Sequence, residues 1–177
     1  MRTLKYALLF LTLAAIPAGA QTKVSGKLNC PKPDPNYSID VGDQAGHGLA
    51  LHKQSCTYET PVEIQGMKSK DSVDVATTEV RGMKITDNGY STSTMENGDK
   101  YTVRYSGSGT VAKDGSATFK GKWTFISGTG KLKGIKGQGT YKGSGKADGS
   151  GSVNIEGEYT LAHAAAKPMS RAKPAKK

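Results

Sequence analysis

The chain has 177 residues, 35% of them apolar, and 25 Lys and Arg against 15 Asp and Glu, a formal net charge of +10. That length supports one domain with a single core. The charge does not mark a nucleic-acid binder: Arg2 and Lys5 sit at one end and Lys167, Arg171, Lys173, Lys176 and Lys177 at the other. Little excess is left on residues 21–161, and no basic patch with interleaved aromatics is written there.

The first twenty residues place Arg2 and Lys5 before an apolar run from Tyr6 to Ile16, then Pro17 and Ala18-Gly-Ala20. This is the order of a secretory signal peptide cut after Ala20, and the run is too short for a stable membrane span. The expected location is therefore secreted or periplasmic. Residues 21–44, with Pro31, Pro33 and Pro35, read as an extended arm. Cys30 and Cys56 are the only cysteines, and in an oxidising compartment an even pair is most simply a disulfide that ties this arm down. The alternative, a metal pair, lacks further ligands at close spacing, so neither a metal nor another cofactor is expected.

From residue 45 to 161 the pattern is β. His47, Leu49 and Leu51 share one face and His52 the other, while Cys56 and Tyr58 fall out of phase with the leucines, which predicts a bulge or a strand end near Lys53. Further strands are predicted over residues 61–67, 71–79, with Val73, Val75 and Thr77 in alternation, and 83–94. Asn97-Gly98 is a hairpin turn, because Asn-Gly accepts the positive φ of a type I′ turn. It leads into Tyr101, Val103 and Tyr105, and the turn at residues 113–115 leads into a strand in which Phe119, Gly121, Trp123 and Phe125 alternate with lysine and threonine. After Gly128-Thr129-Gly130 the apolar pattern resumes through Leu132 and Ile135, and the last strand carries Val153, Ile155, Tyr159 and Leu161.

No segment has sustained helical periodicity. The fold class expected is all-β, an antiparallel, closed, eight-stranded up-and-down barrel, with a β-sandwich as the alternative. Glycines recurring between residues 107 and 151 fit the bends that let a sheet curl shut. Residues 162–177 collapse to Ala, Lys and Pro and read as a disordered basic tail able to touch an anionic envelope surface.

No catalytic signature stands out. Gly128 to Gly134 lacks the spacing of a phosphate-binding loop, and turn formation explains it better. With His163 in the tail, three histidines do not converge on a metal. If the face of Leu49 lines the barrel, His47 is a candidate ligand contact; more often such a histidine sits at a strand entrance, bonded to the adjacent turn. Asp43, four residues earlier, reaches it if the Gly46 turn folds back. Tyr101, Tyr105, Trp123, Tyr141 and Tyr159 are the other candidates to face a ligand, a small apolar or amphipathic molecule.

Ser127-Gly-Thr-Gly130 after an aromatic strand, followed by Leu132, Gly134, Gly137 and Gly139, resembles the Gly-Thr-Gly segment of the allene oxide cyclase and dirigent barrel superfamily. Asn97-Gly-Asp-Lys100 through Tyr141, with Asp43-Gln-Ala-Gly-His47 and the cysteine pair upstream, is similar to a group of uncharacterised bacterial secreted proteins. The resemblance implies an eight-stranded barrel around an apolar cavity, often as a homo-oligomer. It transfers no activity, so ligand binding without catalysis, a cyclase or isomerase, and a packed envelope-associated structural barrel are all carried forward.

Overall fold

The computed structural model describes residues 21–161, so the expected leader and basic tail lie outside it. Ten strands form one antiparallel system: β1 (Thr22–Cys30), β2 (Asn36–Asp40), β3 (His47–Thr60), β4 (Glu63–Ile64), β5 (Met67–Arg81), β6 (Lys84–Met95), β7 (Lys100–Val111), β8 (Ala117–Gly128), β9 (Lys136–Gly145) and β10 (Gly151–Thr160). Eight of them close a barrel in the order β1-β3-β5-β6-β7-β8-β9-β10, with β10 returning to β1 over nine residue pairs, from Thr22↔Tyr159 to Cys30↔Gly151. The two short strands are additions, β2 on the edge of β3 and β4 on β5. Sequential neighbours joined by short turns make this an up-and-down barrel, closed at a short β1–β3 seam of three residue pairs, Lys27↔Thr60, Leu28↔Tyr58 and Asn29↔Thr57.

The segment expected to be an arm instead supplies the closing strand. Val24 and Leu28 of β1 are buried with Gly26 between them, a period-two pattern too short of large side chains to stand out in the sequence. Cys30 at its end is bonded to Cys56 of β3. Constraining a loop with a sequence separation of 26 stabilises the fold by roughly 3 to 4 kcal/mol on the chain-entropy account.

The inward face of β3 is the opposite of the one its leucines suggest. Its register with β5 is unbroken from His47↔Arg81 to Thr57↔Asp71, so there is neither a bulge nor a strand end at Lys53. Cys56 must face Cys30, and strict alternation then sends Gln54, His52 and Ala50 inward and Leu49 and Leu51 outward, each 50% exposed. In β5 the same logic puts Asp74 and Ala76 inside and Val73 and Val75 outside. Bulges do occur, between Lys27 and Leu28, between Ser69 and Asp71, and between Thr102 and Val103.

One end of the barrel is sealed. Val62 and Ile64 on the β4 hairpin, Met95 from β6, and Leu132 and Ile135 after β8 are buried together there. Leu132 belongs to a 3-10 turn, Gly130–Leu132, where the sequence suggested an immediate second strand; β9 begins only at Lys136. Gly128 and Gly130 pack where a Cβ would collide with the Leu132 carbonyl and the Asp99 carboxylate. Asp99 accepts the Lys131 amide at 3.0 Å, and the Thr129 hydroxyl accepts the Lys100 amide at 2.8 Å. The Gly128-Thr129-Gly130 turn thus docks on the 97–100 turn as part of the seal and reaches no ligand space.

Candidate functional site

The barrel encloses a cavity of about 380 Å³. Much of its wall is apolar: Val24, Leu28, Val62, Val103, Phe125, Val153 and Ile155 line it, with Trp123 and Tyr101 against Phe125 at ring separations of 5.1 and 5.3 Å, both edge-on. The lining continues past the aromatics to Pro33, Asn36, Lys146 and Gly149, which places the mouth at the end opposite the seal. A site of this size, mostly apolar with a few placed polar groups, has the form of a small-molecule pocket.

Two polar groupings interrupt the apolar wall. Deep in the barrel, Tyr58 shares hydrogen bonds with Ser93 at 2.8 Å and with Tyr101 at 3.0 Å, and Tyr101 another with Ser69 at 3.3 Å. Ser72 joins Ser93 to Ser91. Burial pushes the Tyr58 hydroxyl well above the usual phenol range, and no buried side-chain polar atom lacks a partner among the described residues. This network is self-satisfied and rigid.

The second grouping lies nearer the mouth and holds the charge. Tyr105 on β7 donates its hydroxyl to Asp74 on β5 at 2.9 Å, and Tyr141 on β9 donates to Asp87 on β6 at 2.6 Å. The two phenol rings meet edge to face with centroids 5.5 Å apart, so one chain runs Asp74, Tyr105, Tyr141, Asp87 around the wall. Burial raises the Asp74 carboxyl to about 6; the Asp87 charge adds to this and the Tyr105 hydroxyl opposes it. Burial likewise raises Asp87, against the hydroxyl of Tyr141 and the nearby His52. His52 is held below the ordinary imidazole range by burial, with Asp87 pulling the other way, so its neutral form is favoured at pH 7. Titratable groups perturbed mainly by desolvation and gathered in one concavity are what acid, base or ligand-anchoring chemistry uses.

Of the residues expected to face a ligand, Tyr101, Tyr105, Trp123 and Tyr141 line the cavity. Tyr159 is buried at the sealed end, where its hydroxyl accepts the Gln65 amide at 3.2 Å. His47 is not in the cavity. It is 4% exposed on the outer side of β3, its Nδ1 bonded to Asp43 and its Nε2 to Glu79 at 3.0 Å, with Glu79 in turn accepting from Arg81 at 2.6 Å. The residues that face inward in its place, Asp74, Asp87 and His52, were legible only as the wet alternates of their strands.

No protein-family model and no curated protein matches this sequence. Solved structures similar to it include two pterocarpan synthase dirigent proteins. GePTS1 is 9% identical at a TM-score of 0.48, covering 89% of this chain and 98% of that one. PsPTS1 is 9% identical at 0.49, covering 81% and 97%. A conserved protein of unknown function, RPA1785 from Rhodopseudomonas palustris, is 12% identical at 0.45, covering 80% and 99%.

Proposed function

We propose that this protein is an exported barrel whose interior binds a small amphipathic molecule. The supporting observation is the cavity of about 380 Å³, largely apolar, with a hydroxyl network in its depth and carboxylates nearer its mouth. A barrel serving only as a structural element would fill its interior with side chains, as close-packed protein cores do. Export follows from the leader-like first twenty residues and fits the Cys30–Cys56 bond, which persists in oxidising compartments. The basic residues after position 162 add an electrostatic attraction to anionic envelope surfaces.

The test is binding of a neutral environment-sensitive lipid probe, expected at micromolar affinity, about 8 kcal/mol. Absence of saturable binding would overturn the reading.

A second reading, a cyclase or isomerase working in the same space, is favoured by one observation: Asp74, with a carboxyl near 6 and a phenol donating to it, is poised as a general base. Native mass spectrometry of protein from its own host, followed by incubation of the co-purified compound with the protein, separates the two. A binder returns the compound unchanged. An enzyme converts it, and Asp74→Asn then loses about a hundredfold or more in turnover.

A further inference from the structure

We propose that the ligand is an amphiphile bearing a protonated amine, its apolar part on the Trp123 and Phe125 floor and its ammonium at the carboxylates of Asp74 and Asp87. This rests on the binding reading above and narrows the chemistry of the molecule bound.

The first ground is the distribution of charge along the cavity wall. Two carboxylates face the space, whereas the basic groups of the lining are Lys146, exposed at the mouth, and His52, whose neutral form burial favours. An anionic amphiphile would meet two like charges across a medium of low dielectric, and a neutral one would leave both carboxylates without a countercharge.

Donor and acceptor inventory gives the second. Each carboxylate takes one phenol hydroxyl, Asp74 from Tyr105 and Asp87 from Tyr141, and an ionised carboxyl accepts about four bonds. What remains is acceptor capacity on both carboxylates, facing the cavity. An ammonium supplies three donors and the missing charge together. The Tyr105 and Tyr141 rings beside it add an aromatic surface of the kind that attracts cations.

Cost gives the third. Holding Asp74 in a site that raises its carboxyl to about 6 destabilises the empty protein at neutral pH, whereas Asn would fill the same volume and still accept from Tyr105. A destabilising charge in a pocket is the mark of a group kept for what it binds.

The experiment compares decylamine, decanol and decanoate as competitors of the neutral lipid probe, on the wild-type protein and on Asp74→Asn/Asp87→Asn. The wild type should bind decylamine at least tenfold more tightly than decanol, with decanoate weakest. In the double variant that advantage should vanish while the neutral probe still binds, which also shows that the variant is folded. Lowering the pH from 7.5 to 5 should shrink the wild-type advantage. Facing the ammonium, Asp74 on β5, raised to about 6, takes up a proton over this range; Asp87 on β6 is raised in the same direction and His52 on β3 is held down by burial, while the other facing groups, Tyr105, Tyr141 and Gln54, stay neutral. If decanol binds and decylamine binds no better, or if the advantage survives in the double variant, the amine assignment is wrong although the pocket stands. If none of the three displaces the probe and the probe itself does not bind, the binding reading falls as well.

Discussion

Trp123 lies across Gly139, its partner on the neighbouring strand, with the indole filling the space where a side chain would stand. The arrangement repeats around the wall: a Cβ at Gly157 would meet the same indole, one at Gly89 the Tyr105 ring, one at Gly121 the Tyr141 ring, and one at Gly143 the Phe119 ring. Aromatic rings placed over inward-facing glycines cover the barrel wall without filling its centre, so these pairs preserve both a packed wall and an open cavity.

This pairing makes a stability prediction. Trp123→Ala should cost about 3 to 5 kcal/mol, as for a large aromatic removed from a core, and Gly139→Ala about 1 to 3 kcal/mol through overpacking. Combined, the two should cost less than their sum, because Trp123→Ala removes the part of the clash made with the indole while the part made with the Glu156 carbonyl remains. Urea denaturation of the four proteins measures the coupling, and strict additivity would contradict the contact.

Asp74 sets a pH dependence. Its carboxyl is raised to about 6 from the ordinary 3.8, so between these values the folded protein holds a proton that the unfolded chain releases. Its contribution to stability is present below about pH 4 and is lost as pH rises through 6. Asp74→Asn should therefore stabilise the protein at pH 8 by roughly 2 to 3 kcal/mol and change little at pH 3.5. Denaturant midpoints at the two pH values check this, and equal effects at both would refute it.

Cys30→Ser/Cys56→Ser should lose roughly 3 to 4 kcal/mol while keeping the barrel. Intact mass of the non-reduced protein under alkylation should show no free thiol, and hydrogen exchange should place the new flexibility in residues 30–46.

His47→Ala should leave probe binding unchanged, since the imidazole lies on the outer side of β3. It should release the turn that Asp43 anchors and speed amide exchange in residues 40–46 by about tenfold or more, as expected of a local opening that loses its closing contact. A loss of probe affinity with exchange unchanged would place His47 at the ligand instead.

Removing residues 162–177 deletes five positive charges. Binding to anionic vesicles should fall with the truncation and fade with added salt, while the melting temperature stays within a few degrees. Salt-insensitive binding would rule out an electrostatic role.

The period-two alternation of residues 101–105, 117–126 and 153–161 determined the strands, and the turn residues between them determined an antiparallel order, because both are local properties of a few successive side chains. Charge and cysteine count likewise required no fold to interpret. Which face of each strand points inward was another matter. For β8 the apolar face is the inner one, and Trp123 and Phe125 are found where alternation puts them. For β3 and β5 the rule inverts: Leu49, Leu51, Val73 and Val75 face out and His52, Gln54 and Asp74 face in, because β3 is phased by the Cys30–Cys56 bond and β5 by its pairing with β3. A barrel that keeps a cavity also has an inner surface able to accept polar groups, so polarity alone no longer separates inside from outside. Asp74 and Asp87 lie thirteen positions apart on different strands, and Tyr105 and Tyr141 further still. Only the closure of the sheet brings these four side chains to one wall, which is why the candidate site could be seen in the tertiary structure and not in the sequence.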